Sequence, residues 1–139
     1  MVSCGITPSE EQIKIYEALK TDKVHRCYAL KLNAKRDGLE DLFIGDRDFT
    51  LENLKEKLPA NDCVYVIYDF EFQTFEEPPR DTSKLLLIFW CPDTAPIRVK
   101  APFASSKNDL KGAFSGIAKD IMASDSSILD FEELRKECC

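Results

Sequence analysis

The chain has 139 residues, enough for one domain with a genuine core and too few for two. Hydrophobic residues make up 44% and charged residues 32%, and the net charge of −6 argues against sequence-independent nucleic-acid binding, which needs a broad cationic surface. The longest apolar runs, Leu85–Cys91 and Val64–Tyr68, are far too short to span a membrane.

The N-terminus lacks the basic-then-apolar pattern of a secretion signal. The expectation is a single cytoplasmic domain over 1–139, opening on a flexible segment at 1–8. Ser9 with Gln12 reads as a capping box that starts a helix to about Lys20, with Ile13, Tyr16 and Leu19 on its apolar face. Arg26–Asn33 and Leu39–Asp46 read as a hairpin turned by Lys35-Arg36-Asp37-Gly38, since Asp-Gly favours a tight turn. Thr50 caps a short helix that runs through Leu58 and stops at Pro59.

Cys63–Phe72 and Lys84–Cys91 have the composition of interior strands. The first places Val64, Val66, Tyr68 and Phe70 on one face and Tyr65 and Ile67 on the other. Because both faces are apolar, layers are expected above and below the sheet. The segment Gln73–Ser83 joins these strands as a projecting loop, stiffened by Pro78-Pro79. Pro92, Pro96 and Pro102 then hold a connector semi-extended. Ser105 or Ser106 caps a long helix to Lys119, with Asp109 completing a capping-box variant and Leu110, Phe114 and Ile117 on its apolar side. A brief strand at Asp120–Ala123 and a last helix at Ile128–Glu137 complete an α/β layered domain, a mixed sheet sandwiched by helices.

Chemistry is sparse. Six cysteines occur without a CxxC pair, and His25 is the single histidine, so metal-ligand spacing is missing. Cys27, Cys63 and Cys91 fall in apolar runs and read as buried reduced thiols, whereas Cys4, Cys138 and Cys139 read as exposed. Asp69 and Glu71 lie two apart on one strand, yet no histidine or nucleophile is tied to them, which favours a structural role. With no Gly-rich phosphate loop and no GxSxG, an enzyme is not expected, nor a cofactor. What remains is Arg98, Lys100, Lys107 and Lys111, which gather positive charge around the entry and polar side of one helix. Such an arrangement suits docking into an acidic cleft of another protein.

PDTAPIRVK followed by ASSK and GI, together with LPANDCVYVIYDFEF upstream, resembles the actin-depolymerising factor/cofilin family, and the match covers nearly the whole chain in order. The resemblance implies five main strands with helices on both faces, the actin-depolymerising-factor homology fold. It implies binding of actin monomers and filaments, favouring the ADP-bound form, with filament severing and depolymerisation. The residues it marks for actin are Ser3, Gly5, Ile6, Arg98, Lys100, Lys107 and Lys111, with Ser3 also a regulatory phosphorylation site. For filaments it adds Arg80, Lys84, Glu133 and Arg135. Gly112 and Ala113 stand where many members carry further basic residues, so phosphoinositides are expected as weak partners only. A monomer-sequestering variant and a coactosin-like or glia-maturation-factor-like relative remain open, as does a thiol sensor at Cys138-Cys139.

Overall fold

A computed structural model describes residues 8–32, 38–59, 61–114, 116–125, 127 and 129–138; at Val99, Pro102, Lys107 and Asn108 only the backbone is described. Helix α1 spans Glu10–Glu17 and relaxes into a π-helical turn at Ala18–Asp22. Strands β1 (Cys27–Leu32) and β2 (Leu39–Gly45), helix α2 (Leu51–Lys57), and strands β3 (Val64–Gln73) and β4 (Asp81–Trp90) follow. Helices α3 (Ile97–Ser105) and α4 (Lys107–Ala113), strand β5 (Lys119–Ala123) and helix α5 (Phe131–Cys138) complete the order.

Both expected capping boxes form. The Ser9 hydroxyl accepts from the Gln12 amide while the Gln12 side chain accepts from the Ser9 amide. Thr50 and Asn53 repeat the exchange at α2. Each box satisfies two amide donors that a helix start otherwise leaves open. Of the turn expected at Lys35-Arg36-Asp37-Gly38 only Gly38 is among the described residues, and 1–7, Ile128 and Cys139 lie outside them.

The five strands lie in the order β2-β1-β3-β4-β5, antiparallel except for β4 and β5. A parallel neighbour requires a crossover, and the crossover here carries α3 and α4. The two faces of β3 part as their alternation dictates. Val64, Val66, Tyr68 and Phe70 pack with Leu54 of α2 and Leu134 of α5. Tyr65 and Ile67 pack with Tyr16 and Leu19 on one side and with Phe103, Leu110 and Phe114 of the crossover helices. Burying each of these large side chains contributes on the order of 1.5–3 kcal/mol. The sheet is therefore covered on both faces.

Several expectations need correction. The strand pairing runs out to Gln73 opposite Asp81, so β4 starts before Lys84 and the connection shrinks to residues 74–80. Asp81, Thr82, Ser83 and Lys84 are all polar, so a search for continuous apolar runs starts the strand too late, although exposed and half-buried positions alternate along them. The long helix is not one helix from Ser105 to Lys119. Helix α3 begins eight residues earlier, α4 stops at Ala113, and Lys119 already belongs to β5. Gly116, at φ +92°, provides the left-handed backbone between them. Cys138 is buried, not exposed, because it lies on the inner face of α5.

Candidate partner-binding face

The face begins where β4 ends. The Cys91 amide donates to the Ala123 carbonyl of β5 at 2.8 Å, and the Trp90 indole Nε1 donates to the Pro59 carbonyl at 2.8 Å. The chain then turns, Ala95 donating to the Pro92 carbonyl at 3.0 Å, and the Lys100 amide donates to the Pro96 carbonyl at 3.1 Å. That bond opens α3, so the segment expected to be an extended connector is largely helical. Pro96 cannot donate, but a residue entering a helix has no intrahelical acceptor for its amide anyway. Pro102 lies further in, where a missing amide costs a helical bond.

The helix pair breaks at Ser106. Its backbone is helical at φ −86° and ψ −5°, and its side chain makes no capping bond. The Ser105 hydroxyl turns back to the Ala101 carbonyl at 3.0 Å, an arrangement that bends helices. The expected Ser106–Asp109 cap is therefore not made; Asp109 Oδ2 is buried with no hydrogen-bond partner among the described residues.

Phe103 anchors α3. Its ring stacks on Tyr65 with centroids 4.2 Å apart and meets Phe89 edge-on at 6.2 Å, and its carbonyl accepts from the Tyr65 hydroxyl at 2.7 Å. With that side seated, the other faces solvent. Ile97 is 77% exposed and Arg98 beside it is exposed. Lys100 is half-buried, its Nζ donating to the Asp93 carbonyl at 2.9 Å. Lys111, on α4, lies 3.5 Å from the Asp120 carboxylate. Lys107 opens α4. Ser3, Gly5 and Ile6 lie outside the described residues. Sequence reasoning missed Ile97, an exposed apolar residue beside the cation. A helix start placed at Pro96 would have exposed it.

The second cluster lies at the far end of the β3–β4 hairpin. Arg135 of α5 donates to the carbonyls of Gln73 (2.6 Å) and Thr74 (3.3 Å), and its guanidinium lies 4.0 Å from the Phe75 ring centroid. Lys84 Nζ donates to the Cys138 carbonyl at 2.6 Å, placing a cation at the C-terminal end of α5 where exposed carbonyls favour it. Arg80 grips Glu76 through two nitrogens at 2.8 and 3.2 Å and is exposed. Glu133 pairs with Lys136 at 3.7 Å on the outer side of α5. Lys84 and Arg135 thus fasten α5 to the hairpin, while Arg80 and Glu133 remain on the surface.

The paired carboxylates on β3 are neutralised. Asp69, its side chain 2% exposed, meets Lys23 at 3.1 Å and Arg47 at 2.9 Å. Glu71 meets Arg47 at 2.8 Å and also pairs with Arg26. Sequence spacing could not show these cations, because they arrive from the β1 and β2 ends of the chain. Such bracketing holds structure together; no nucleophile joins it among the described residues.

A five-stranded mixed sheet with helices on both faces, displaying an exposed apolar-basic helix on its crossover, defines a small domain built to dock on a protein partner. From residue 5 to 139 the sequence matches the model of the family described as cofilin/tropomyosin-type actin-binding protein, and the chain belongs to that family. It is 37% identical to a cofilin of Schizosaccharomyces pombe, over 92% of this chain and 90% of that one. With a cofilin of Saccharomyces cerevisiae it shares 32%, over 96% of this chain and 92% of the other. The crystal structure of a Streptomyces griseoflavus cofilin superposes with a TM-score of 0.85 at 28% identity, covering 96% and 97% of the two chains.

Proposed function

We propose that this chain binds actin, as monomer and in filaments, and promotes filament severing and depolymerisation. The observation that carries the reading is the pairing of exposed Ile97 with exposed Arg98 on a helix whose opposite side is locked to the sheet by Phe103. Apolar contact supplies affinity and the adjacent cation orients the encounter with an acidic cleft. Arg98, Lys100, Lys107 and Lys111 are assigned to this contact, with Ser3, Gly5 and Ile6 completing it from the N-terminus. A phosphate on Ser3 would add about −1.5 to −2 charges and oppose binding to an acidic surface.

For filaments the second contact is assigned to Arg80 and Glu133, with Lys84 and Arg135 holding the hairpin and α5 in the relation that presents them. The ADP-bound form of actin is the favoured state, and the protein works as a monomer in the cytoplasm with the cytoskeleton. Phosphoinositides are weak competitors at most, because Gly112 and Ala113 add no charge to α4. Binding, with no chemistry on a substrate, drives the change in the filament. Filament cosedimentation and dilution-induced depolymerisation test this. Pelleting with filaments and faster disassembly are expected; slowed nucleotide exchange on monomers without pelleting would leave a sequestering protein instead.

A further inference from the structure

Cys63 and Cys91 flank the longest strand pair of the sheet. The β3–β4 register sets Val64 opposite Trp90 and Tyr65 opposite Phe89, so the next step outward sets Cys63 opposite Cys91. The Cys91 amide turns away to Ala123, and the Cys63 amide is held by the Asp62 carboxylate at 2.9 Å. The two therefore form a cross-strand pair without mutual backbone bonds, the kind whose Cα atoms approach to about 4.5 Å. That separation falls within the span of about 4.4–6.8 Å that a disulfide bridges. Both side chains lie on the sheet face that carries α3, and the sulfurs are 3.0 Å apart. A disulfide of about 2.05 Å needs roughly one ångström of travel.

We propose that Cys63 and Cys91 are a modification site at the root of α3, joined as an intramolecular disulfide by a peroxide. The two thiols have different roles. Cys91 is half-buried and is the sulfur that a small oxidant reaches. Cys63 is 2% exposed; burial, with its hydrogen bond to Cys91, pushes its thiol up to about 12, so it stays protonated until used. The Cys91 sulfur attacks hydrogen peroxide, the O–O bond breaks, and a sulfenic acid and one water form. The Cys63 sulfur then attacks the Cys91 sulfur, the S–O bond breaks, and hydroxide leaves as a second water with the Cys63 proton. Two thiols and one peroxide thus give one disulfide and two waters. Reduction reverses the bond when an external thiolate attacks the half-buried Cys91 sulfur and expels Cys63. The bond ties the loop before β3 to the segment that opens α3, beside the Lys100–Asp93 contact.

The test uses the wild-type chain of residues 1–139, with hydrogen peroxide as oxidant and no actin present. Remaining thiols are alkylated, first folded and then unfolded, and the digest is mapped by mass. A Cys63–Cys91 linked peptide pair is expected as the dominant intramolecular disulfide, lost on treatment with dithiothreitol, while Cys27, buried on the opposite face of the sheet, is alkylated only after unfolding. Recovery of Cys63 and Cys91 as separate alkylated peptides, or linked to other cysteines, overturns the proposal. Cys91→Ser, confirmed as folded by circular dichroism, should leave Cys63 without an intramolecular partner; a disulfide at Cys63 in that variant also overturns it.

Discussion

The Tyr65 hydroxyl donates to the Phe103 carbonyl at 2.7 Å while the two rings stack, so one side chain of the sheet holds both the backbone and the side chain of α3. That attachment, with the edge contact of Phe103 on Phe89, helps set the position of the exposed Ile97–Arg98 edge. Tyr65→Phe keeps the stack and leaves a buried carbonyl without its donor. A loss of about 1–2 kcal/mol in urea-denaturation stability is expected, with weaker monomer binding because α3 is less firmly seated. A variant as stable as wild type would mean that α3 is held by its apolar contacts alone.

Gly112 offers a gain. A Cβ built there meets nothing within 4 Å, and the residue is exposed in α4. Gly112→Ala should therefore raise stability by roughly 0.5–1 kcal/mol, through helix propensity and a less permissive unfolded chain. The urea midpoint measures this directly, and an unchanged or lower midpoint would show that α4 adds nothing to global stability.

Arg135→Ala should separate two activities. It removes two hydrogen bonds to the hairpin carbonyls and the stack on Phe75, so the 74–80 connection and α5 lose their common clamp. Hydrogen exchange in 73–80 should quicken, with a stability cost of about 1–2 kcal/mol. Affinity for filaments is expected to fall while monomer binding, which we assign to α3, changes little. Equal losses in both assays would count against a separate filament contact.

Alkaline pH should weaken the fold. Burial, reinforced by the charge of Glu17, raises the Tyr16 phenol to about 12. Burial also raises Tyr68 to about 12, although Arg26 pulls in the opposite direction. Tyr28 is raised as well, by burial and then by its hydrogen bond to Asp41. In the unfolded chain a phenol ionises near pH 10 or so. Between about pH 10 and 12 the unfolded state therefore sheds phenol protons that the folded state keeps, so the tyrosines' contribution to stability is full below that window and falls through it. Urea midpoints should stay level from neutral pH to about 8, ease down as unfolded thiols ionise near pH 8.5 or so while buried Cys27 and Cys63 stay protonated, and drop further between about pH 10 and 12; a level midpoint up to about pH 11 would contradict these burial assignments.

Much of the fold is legible in the sequence. The two faces of β3, the Ser9–Gln12 box and the Thr50 cap follow from local rules, since each depends on neighbours within a few residues. Helix α3 was hidden because Pro92, Pro96 and Pro102 read as breakers, whereas the Phe103 anchor that sustains a proline-bearing helix comes from Tyr65, 38 positions away. The cations around Asp69 and Glu71, and the meeting of Cys63 with Cys91, depend on strand register. The roles of Lys84 and Arg135 depend on α5 packing against the hairpin. None of these can be read from spacing along the chain.

The actin contact proposed for α3 is tested by an actin-monomer affinity measurement on Arg98→Ala/Lys100→Ala beside Arg80→Ala, with filament cosedimentation of both. The double variant should lose about 2–5 kcal/mol of monomer affinity as a desolvated Arg98 pair is removed, while Arg80→Ala should bind monomers as wild type does. Wild-type monomer affinity in the double variant would rule out the α3 contact.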